Sequence, residues 1–182
     1  LSPNHLDVHK DYAEYVDAKA NIFTHQAAGD IAVFNADNEE TCAFAREASA
    51  SVRMFSRQGT VERGTYLGPD YPGGQAIWIA NEKGRRCVLP LADIKLPGIH
   101  NVENYMAAIA AVDGLVPYEV IREFAGNFGG VEHRIELIRE LDGVRYYNDS
   151  IASSPSRTIA GLRSFPEKLV LIAGGKDKGI SY

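Results

Sequence analysis

The sequence lacks the features that mark several common classes of protein. It has only two cysteines, Cys42 and Cys87, at a spacing that fits no metal or disulfide framework, so both are expected to be reduced in a cytoplasmic protein. No apolar run approaches the roughly 18 residues of a membrane-spanning helix, and no membrane insertion is expected. The net charge of -5 argues against nucleic acid as a partner, because phosphate neutralisation needs clustered Lys and Arg.

A phosphate-binding loop is also absent, since Gly-x4-Gly-Lys-Ser/Thr occurs nowhere in the chain. The composition is that of a globular protein, with 45% hydrophobic and 24% charged residues among 182, enough for one domain or two small ones. The chain opens on Leu1 rather than Met and enters a motif-rich stretch at once. We therefore expect it to be an internal piece of a longer protein.

The first half of the chain has the pattern of an α/β domain. Asp11 and Glu14 form a capping-box pattern ahead of a helix that runs to about His25, and a second helix is predicted over about residues 39–49. Between these helices, the wholly apolar run at residues 31–35 is typical of a buried parallel strand. Four β-prone runs separated by glycine turns then predict an antiparallel meander over residues 52–91.

A pair of glycines divides the second half of the chain. Gly129 and Gly130 interrupt the helical and strand periodicities, so we place a domain boundary there, with one domain at 1–130 and a second at 131–182. The elements predicted around it are two helices, a hairpin, a further helix and a buried strand, at residues 101–114, 117–126, 135–147, 156–164 and 169–173.

Lys19 is the first residue that helix packing does not explain. It falls in the helical stripe of Tyr12, Tyr15 and Ile22, where an apolar side chain is expected. One interpretation is a surface lysine whose stem packs while its amine stays in water. The other is a buried amine with a depressed pKa, which would act as a nucleophile, a base, or a site for carbamate formation with carbon dioxide.

His5, Asp7 and His9 alternate just before the same helix. His and Asp together suit a divalent metal, yet such residues near a helix start are also ordinary capping and solvated groups. A metal-dependent hydrolase is one alternative that they leave open. It would need further histidines at regular spacing, and the other three in the chain, His25, His100 and His133, show no such spacing.

Asn101, Asn104 and Arg134 are candidates for ligand contact. The two asparagines lie three residues apart in the first turn of a predicted helix, where the first is explained as a cap but the second is not. A pair of carboxamides there suits a nucleobase edge or a metal-bound water. Arg134 follows His133 after the glycine pair and offers a planar fork for phosphate or carboxylate, although a solvated surface pair is the plain alternative.

Two predicted strand ends in the second half also carry polar residues. Asn148-Asp149-Ser150 follows one strand, and a glycine turn with Lys176 and Lys178 follows another. Ligands in doubly wound sheets bind outside the carboxyl ends of the strands. One acidic and one lysine-bearing end therefore indicate a site for a ribose and an anion.

These residues together resemble the Mur ligase family. The run from Asn4 to His9, followed by Tyr15-x3-Lys19, is similar to the signature of the family's central domain. The segment from Gly98 through Asn104 is similar to the stretch that contacts the nucleotide. Glu132-His133-Arg134 is similar to the hinge before the C-terminal domain. The resemblance implies an α/β fold: a partial ATPase-like central domain with a small antiparallel meander, then the start of a Rossmann-like C-terminal domain. It also implies that His5 and a carbamylated Lys19 bind Mg²⁺, and that Asn101, Asn104 and Arg134 contact ATP.

The segment from Tyr147 to Pro155 most resembles the member of this family that adds D-glutamate. By that resemblance Asp149 holds the ribose, and Lys178 and Ser150 contact substrate. The family's lysine after Asn-Asp-Ser is Ile151 here, and its threonine is Ser153, which puts phosphate contacts from this loop in question.

The activity that the resemblance implies is ADP-forming amide synthesis through an acyl phosphate. UDP-N-acetylmuramoyl-L-alanine and D-glutamate would be the substrates, ATP and Mg²⁺ the cofactors, and the whole protein a cytoplasmic monomer. The chain alone is expected to be catalytically silent. Two alternatives stay open, a ligase like folylpolyglutamate synthetase and a non-catalytic nucleotide-binding module.

Overall fold

The computed structural model describes residues 8–70 and 73–175 and has an α/β architecture. Four residues singled out above, His5, Asp7, Lys176 and Lys178, lie outside the described residues. The helices are α1 (Tyr12–Thr24), α2 (Glu39–Glu47), α3 (Ile99–Val112), α4 (Tyr118–Asn127) and α5 (Pro155–Leu162). The strands are β1 (Ile31–Asn35), β2 (Ser51–Ser56), β3 (Gly64–Pro69), β4 (Gln75–Asn81), β5 (Gly84–Pro90), β6 (Glu136–Leu141) and β7 (Val144–Asn148). Among the described residues, no helix is both long and apolar enough to cross a membrane.

The larger sheet has five strands in the order β1-β2-β3-β4-β5, and neighbouring strands change from parallel to antiparallel part-way across it. Strands β1, β2 and β3 run parallel, with Ala32 opposite Val52 and Phe55 opposite Thr65. Only β3, β4 and β5 form an antiparallel meander. The expectation that the meander begins at residue 52 is therefore wrong, because α2 returns the chain across the sheet and β2 enters in the direction of β1.

Helix α3 packs its apolar face against the sheet and supplies a large part of the main core. Met106 and Ile109 on α3 are buried with Ile77 and Leu89 of the antiparallel strands. The Thr65 hydroxyl, on β3, donates to the Met106 carbonyl at 2.9 Å, which satisfies the one polar group that this strand buries beneath the helix. Because its apolar residues recur every three or four positions, α3 buries a continuous stripe along its length.

Helix α1 begins where the sequence predicts but buries a different face. The Asp11 carboxylate accepts the Glu14 backbone N–H at 2.9 Å, and Glu14 reaches back to the Lys10 N–H at 2.7 Å. The predicted stripe through Ile22 is wrong, since that side chain is 81% exposed. Phe23 is buried instead, because its ring packs against aromatic rings of β1 and α2 at centroid distances of 5.4 and 5.0 Å.

The second half of the chain contains a separate two-stranded sheet, β6 and β7, turning at Asp142 and Gly143 as predicted. The predicted buried strand at residues 169–173 is wrong for the described residues. Val170 and Ile172 are 93% and 95% exposed, and the segment pairs with no described strand. A buried strand needs neighbouring strands and a covering layer, and the described part of the chain supplies neither here.

Candidate functional site

Lys19 lies on the exposed side of α1 beside two tyrosines. Its Nζ is 5.5 Å from the centre of the Tyr15 ring, and that ring stacks on Tyr12 at 5.9 Å. The Tyr12 hydroxyl donates to Glu40 at 3.0 Å, which ties this end of α1 to α2. An exposed amine is the placement expected of a surface lysine rather than of a buried one. A carbamate at Lys19 stays a prediction.

His9 is the only member of the predicted His-Asp-His group that the structure describes. Its Nδ1 is 3.9 Å from Glu14, and its ring meets Tyr15 edge-on at 5.6 Å. Within residues 8–70 and 73–175, no group of three or more His, Cys, Asp or Glu side chains is placed to hold a metal ion. The metal-ligand role predicted for His5 cannot be placed, because His5 lies outside the described residues.

Gly98 caps the N-terminus of α3, so the helix begins two residues earlier than predicted. Its φ of 95° is open to glycine but strained for other residues, and a Cβ there would overlap the Ser164 hydroxyl after α5. Asn101 therefore lies inside the helix and is not its cap. Its Nδ2 donates to the Pro97 carbonyl at 2.7 Å, and its Oδ1 accepts from Asn104 at 3.3 Å.

The two asparagines and Arg134 line a first cleft of about 200 Å³. The remaining walls are mostly apolar and come from the segment before α3, from α3 and α4, and from the segment that follows α4. They include Leu96, Tyr105, Ala108, Phe124, Phe128 and Ile135. Phe124 and Phe128 stack at 4.8 Å with an angle of 20° between their rings. An apolar cleft with a few amide groups suits a flat heterocycle that forms hydrogen bonds along one edge.

Arg134 stands at a sharply bent segment between two left-handed residues. His133 has a φ of 66° and Ile135 a φ of 46°, which is a strained value for a β-branched residue. The Ile135 N–H donates to Asp149 Oδ1 at 3.1 Å, and the His133 ring is 2.7 Å from Asn148 Nδ2. These contacts with the end of β7 hold the bend, which places Arg134 in the wall of two adjacent clefts.

The second cleft, of about 460 Å³, lies on the other side of Arg134 and contains Asp149. It brings together four charged or titratable side chains, His100, Arg134, Asp149 and Arg157, beside Ile151. Burial lowers the pKa of His100 below its usual value and nearby Arg134 lowers it further, whereas the Asp149 and Glu103 carboxylates act in the opposite direction. The cleft is therefore arranged for a polar, negatively charged ligand rather than for an apolar one.

Ser150 is exposed and lines neither of these clefts. Its N–H donates to Asn148 Oδ1 at 3.1 Å, so it helps to shape the turn after β7. The substrate contact predicted for its side chain stays a prediction.

Two residues of the second cleft, His100 and Arg157, were not selected from the sequence. His100 precedes Asn101 directly, but no local pattern indicates that it faces the end of β7. Arg157 occupies the first turn of α5, where acidic residues are favoured, and this mismatch with the helix dipole is the signal that could have found it.

A family model matches the part of the chain that contains Lys19 and the two asparagines. The model of the Mur ligase middle domain matches residues 1–112. The chain belongs to the Mur ligase family. Among its similar relatives are proteins named UDP-N-acetylmuramoylalanine--D-glutamate ligase, from Acetivibrio thermocellus and Clostridium novyi, which are 53% and 51% identical over all 182 residues. The chain spans 38% of the length of each of these Mur ligases.

Solved Mur ligase structures share the fold at low sequence identity. MurF from Acinetobacter baumannii matches with a TM-score of 0.69 and 20% identity, over 90% of this chain and 35% of that chain. A UDP-N-acetylmuramoyl-L-alanyl-D-glutamate--2,6-diaminopimelate ligase matches with a TM-score of 0.59 and 24% identity, over 90% of this chain and 34% of its own. The predicted family and α/β fold are thus confirmed.

Replacing Gly161 with alanine is expected to displace the Asp149 carboxylate. Gly161 is buried in α5, and a Cβ there would lie 2.7 Å from Asp149 Oδ2. The movement breaks the bond to the Ile135 N–H and should cost about 1–3 kcal/mol, although alanine favours the helix. Faster hydrogen exchange at the Ile135 amide would report the loss. Gly126→Ala on α4 is the control, because its nearest neighbour lies at 3.8 Å, and unchanged exchange in both variants would contradict the prediction.

Proposed function

We propose that this chain is part of an ATP-dependent, ADP-forming ligase that adds D-glutamate to UDP-N-acetylmuramoyl-L-alanine. Membership of the Mur ligase family supports the reaction type, and relatives at 53% and 51% identity that carry the name of the D-glutamate ligase support the substrates. The observation that carries the proposal is the meeting of an apolar amide-lined cleft and a charged cleft at Arg134. A nucleotide needs this combination, since its base is flat and its phosphates are anionic.

In this proposal the first cleft binds the adenine of ATP. Asn104 offers an exposed carboxamide, while Asn101 is held by Pro97 and orients it. Asp149, on the opposite side of the bend, accepts a hydroxyl of the ribose with the carboxylate oxygen that the Ile135 N–H does not occupy. Arg134 lies between the two clefts, where a guanidinium can bind the phosphates that follow the ribose.

A Mg²⁺ ion, when bound, offsets the negative charge that ATP and the acceptor carboxylate bring together. The residues proposed to hold it are Lys19, as a carbamate, and His5. Lys19 suits this role in one respect, since its exposed Nζ donates no hydrogen bond to any described residue and is open to carbon dioxide. The lysine ammonium first loses a proton, the neutral amine nitrogen then bonds to the carbon of carbon dioxide, and the nitrogen loses a second proton. The lysine then presents carboxylate-like oxygens in place of a cation.

The reaction itself is an acyl transfer between bound substrates. The acceptor carboxylate attacks the γ-phosphate of ATP and releases ADP, and the amine of D-glutamate then attacks the acyl phosphate and expels phosphate. The contribution of this chain is to position the nucleotide and to place cations beside the transferring group. Lys178 and Ser150 are proposed to contact the incoming amino acid, in a domain that begins at residue 131. A cytoplasmic monomer is proposed for the whole protein.

The test is phosphate release by a full-length ligase that contains these 182 residues, supplied with ATP, Mg²⁺ and UDP-N-acetylmuramoyl-L-alanine across a panel of amino acids. Release with D-glutamate alone is the expected result. Release with another amino acid would retain the ligase chemistry and overturn the substrate. The 182-residue chain by itself is expected to release none, because it contains no Gly-Lys-Thr phosphate loop.

A non-catalytic nucleotide-binding module is the second candidate, and Ile151 is the observation that favours it. An isoleucine cannot supply the charge of the lysine found there in the ligases that this segment resembles. ADP binding by the full-length protein without phosphate release for any amino acid would support this candidate.

A further inference from the structure

We propose that Arg157 binds an anionic oxygen group of a substrate in the second cleft, replacing the charge that Ile151 lacks. The inference rests on the proposed ligase function and adds a binding residue to it. The group it would bind is either a phosphate of the nucleotide or a carboxylate of the amino acid. Both present the paired oxygens that a guanidinium binds through two parallel hydrogen bonds.

The charge balance of the second cleft is the first observation. Arg134 and Arg157 both line it, and neither forms an ion pair or a side-chain hydrogen bond with any residue in 8–70 or 73–175. The one carboxylate in its wall, Asp149, already accepts the Ile135 N–H. Two guanidinium groups facing one engaged carboxylate leave an excess of positive charge that an anionic ligand would neutralise.

The position of Arg157 in its helix is the second observation. Helix α5 starts at Pro155 and has no acidic residue in its first turn, so Arg157 places a cation beside the partial positive charge of the helix N-terminus. No described contact of the side chain offsets this unfavourable placement. Arg157 is exposed, so water solvates its guanidinium, and an anion in the cleft would in addition offset the unfavourable position at the helix start.

The loop and the helix form one unit, which explains how position 157 can replace position 151. The Thr158 hydroxyl donates to the Ala152 carbonyl at 3.1 Å, and the Thr158 N–H donates to the Ser154 carbonyl at 3.0 Å. Ile151 and Arg157 line the same cleft from either end of this unit. The long arginine side chain can thus supply, from the helix, the charge that the loop lacks.

The test compares Arg157→Ala with the unsubstituted full-length ligase in steady-state kinetics. The expected result is a rise in the KM for ATP or for D-glutamate of about tenfold to a hundredfold, since one charge-assisted hydrogen-bonded pair is lost. A rise confined to ATP assigns the anion as a phosphate, and one confined to D-glutamate assigns it as a carboxylate. An unchanged KM for both substrates would overturn the inference.

Two further variants separate binding from a general effect of charge or folding. Arg163→Ala removes an equal charge from the other end of α5, outside the cleft, and is expected to leave both KM values unchanged. Adding Ile151→Lys to Arg157→Ala is expected to restore most of the lost affinity. Equal KM increases in the Arg157 and Arg163 variants, or no restoration by the lysine, would count against a specific contact.

Equilibrium binding distinguishes failure of the proposed ligase function from failure of the inference about Arg157. If the unsubstituted ligase releases no phosphate, titration with ADP and with D-glutamate still tests Arg157 directly. Weaker binding of either probe by Arg157→Ala, with Arg163→Ala unaffected, supports the contact without catalysis. Equal binding by all three proteins, or no binding of either probe, would overturn it.

Discussion

Replacing Gly64 with alanine is expected to disrupt the five-stranded sheet at the junction of its parallel and antiparallel parts. Gly64 starts β3 with a φ of 126°, and a Cβ there would overlap the Met54 backbone carbonyl on β2. Backbone atoms in a paired strand cannot move aside without breaking the ladder. Strain and overlap together should lower the free energy of unfolding by about 3–5 kcal/mol, a large part of the stability of an ordinary domain.

Urea denaturation followed by the fluorescence of Trp78, the single tryptophan, measures this effect on the neighbouring strand, since Trp78 is opposite Tyr66 of β3. Gly84→Ala is a matched control. Gly84 also has a positive φ, of 103°, but a Cβ there would meet no atom within 4 Å. In the control, only the backbone strain should lower the free energy of unfolding, by about 1–3 kcal/mol. Equal losses in both variants would show that the overlap with Met54 contributes nothing.

Replacing Lys19 with alanine is expected to reduce phosphate release by the full-length ligase about a hundredfold to a thousandfold. This follows from the proposed role of the carbamate, because removing one group that stabilises charge in the transition state typically costs that much in rate. Folding should change little, since Lys19 is exposed and forms no described hydrogen bond or ion pair. Unchanged release would remove Lys19 from the proposed machinery.

Lys19→Arg distinguishes a carbamate from a cation. Arginine keeps the positive charge and can still lie over the Tyr15 ring, but it is always protonated and does not form a carbamate. If Lys19 acts as a carbamate, the arginine variant should lose as much activity as the alanine variant. Substantial activity in the arginine variant alone would instead assign Lys19 a role as a positive charge.

The sequence predicts the elements that depend on neighbouring residues. It does not predict which distant elements they pack against. The apolar run of β1, the Asp11 cap and the turn at Asp142 each depend on neighbouring residues only, and all three are confirmed. The direction of β2 depends on how α2 crosses the sheet, which no run of β-prone residues specifies. The burial of Phe23 rather than Ile22 depends in the same way on rings from distant elements.

In the candidate site, too, residues with a local signal were predicted and residues placed only by the fold were not. Asn104 stood out because its helix does not explain it, with Asn101 as its neighbour one turn earlier. Arg134 stood out because it follows the glycine pair, and Asp149 because it follows a strand. The structure brings all four residues to two adjoining clefts. His100 did not stand out, because only the fold places it near Asp149 and Arg134. The bend that aims Arg134 was anticipated from the glycines, but the left-handed residues that form it are not glycines.

Gly98 allows a close approach between the two halves of the chain. At this position the start of α3 meets the Ser164 hydroxyl of the segment after α5, and Gly98 itself adds no side chain to the contact. Any other residue would act as a spacer at least one methyl group thick, inserted where the halves touch. Because Asn101 lines the first cleft and His100 the second, both within the first turn after Gly98, we expect such a spacer to displace a wall of each cleft. The shape of both clefts is thus expected to depend on a position that lines neither.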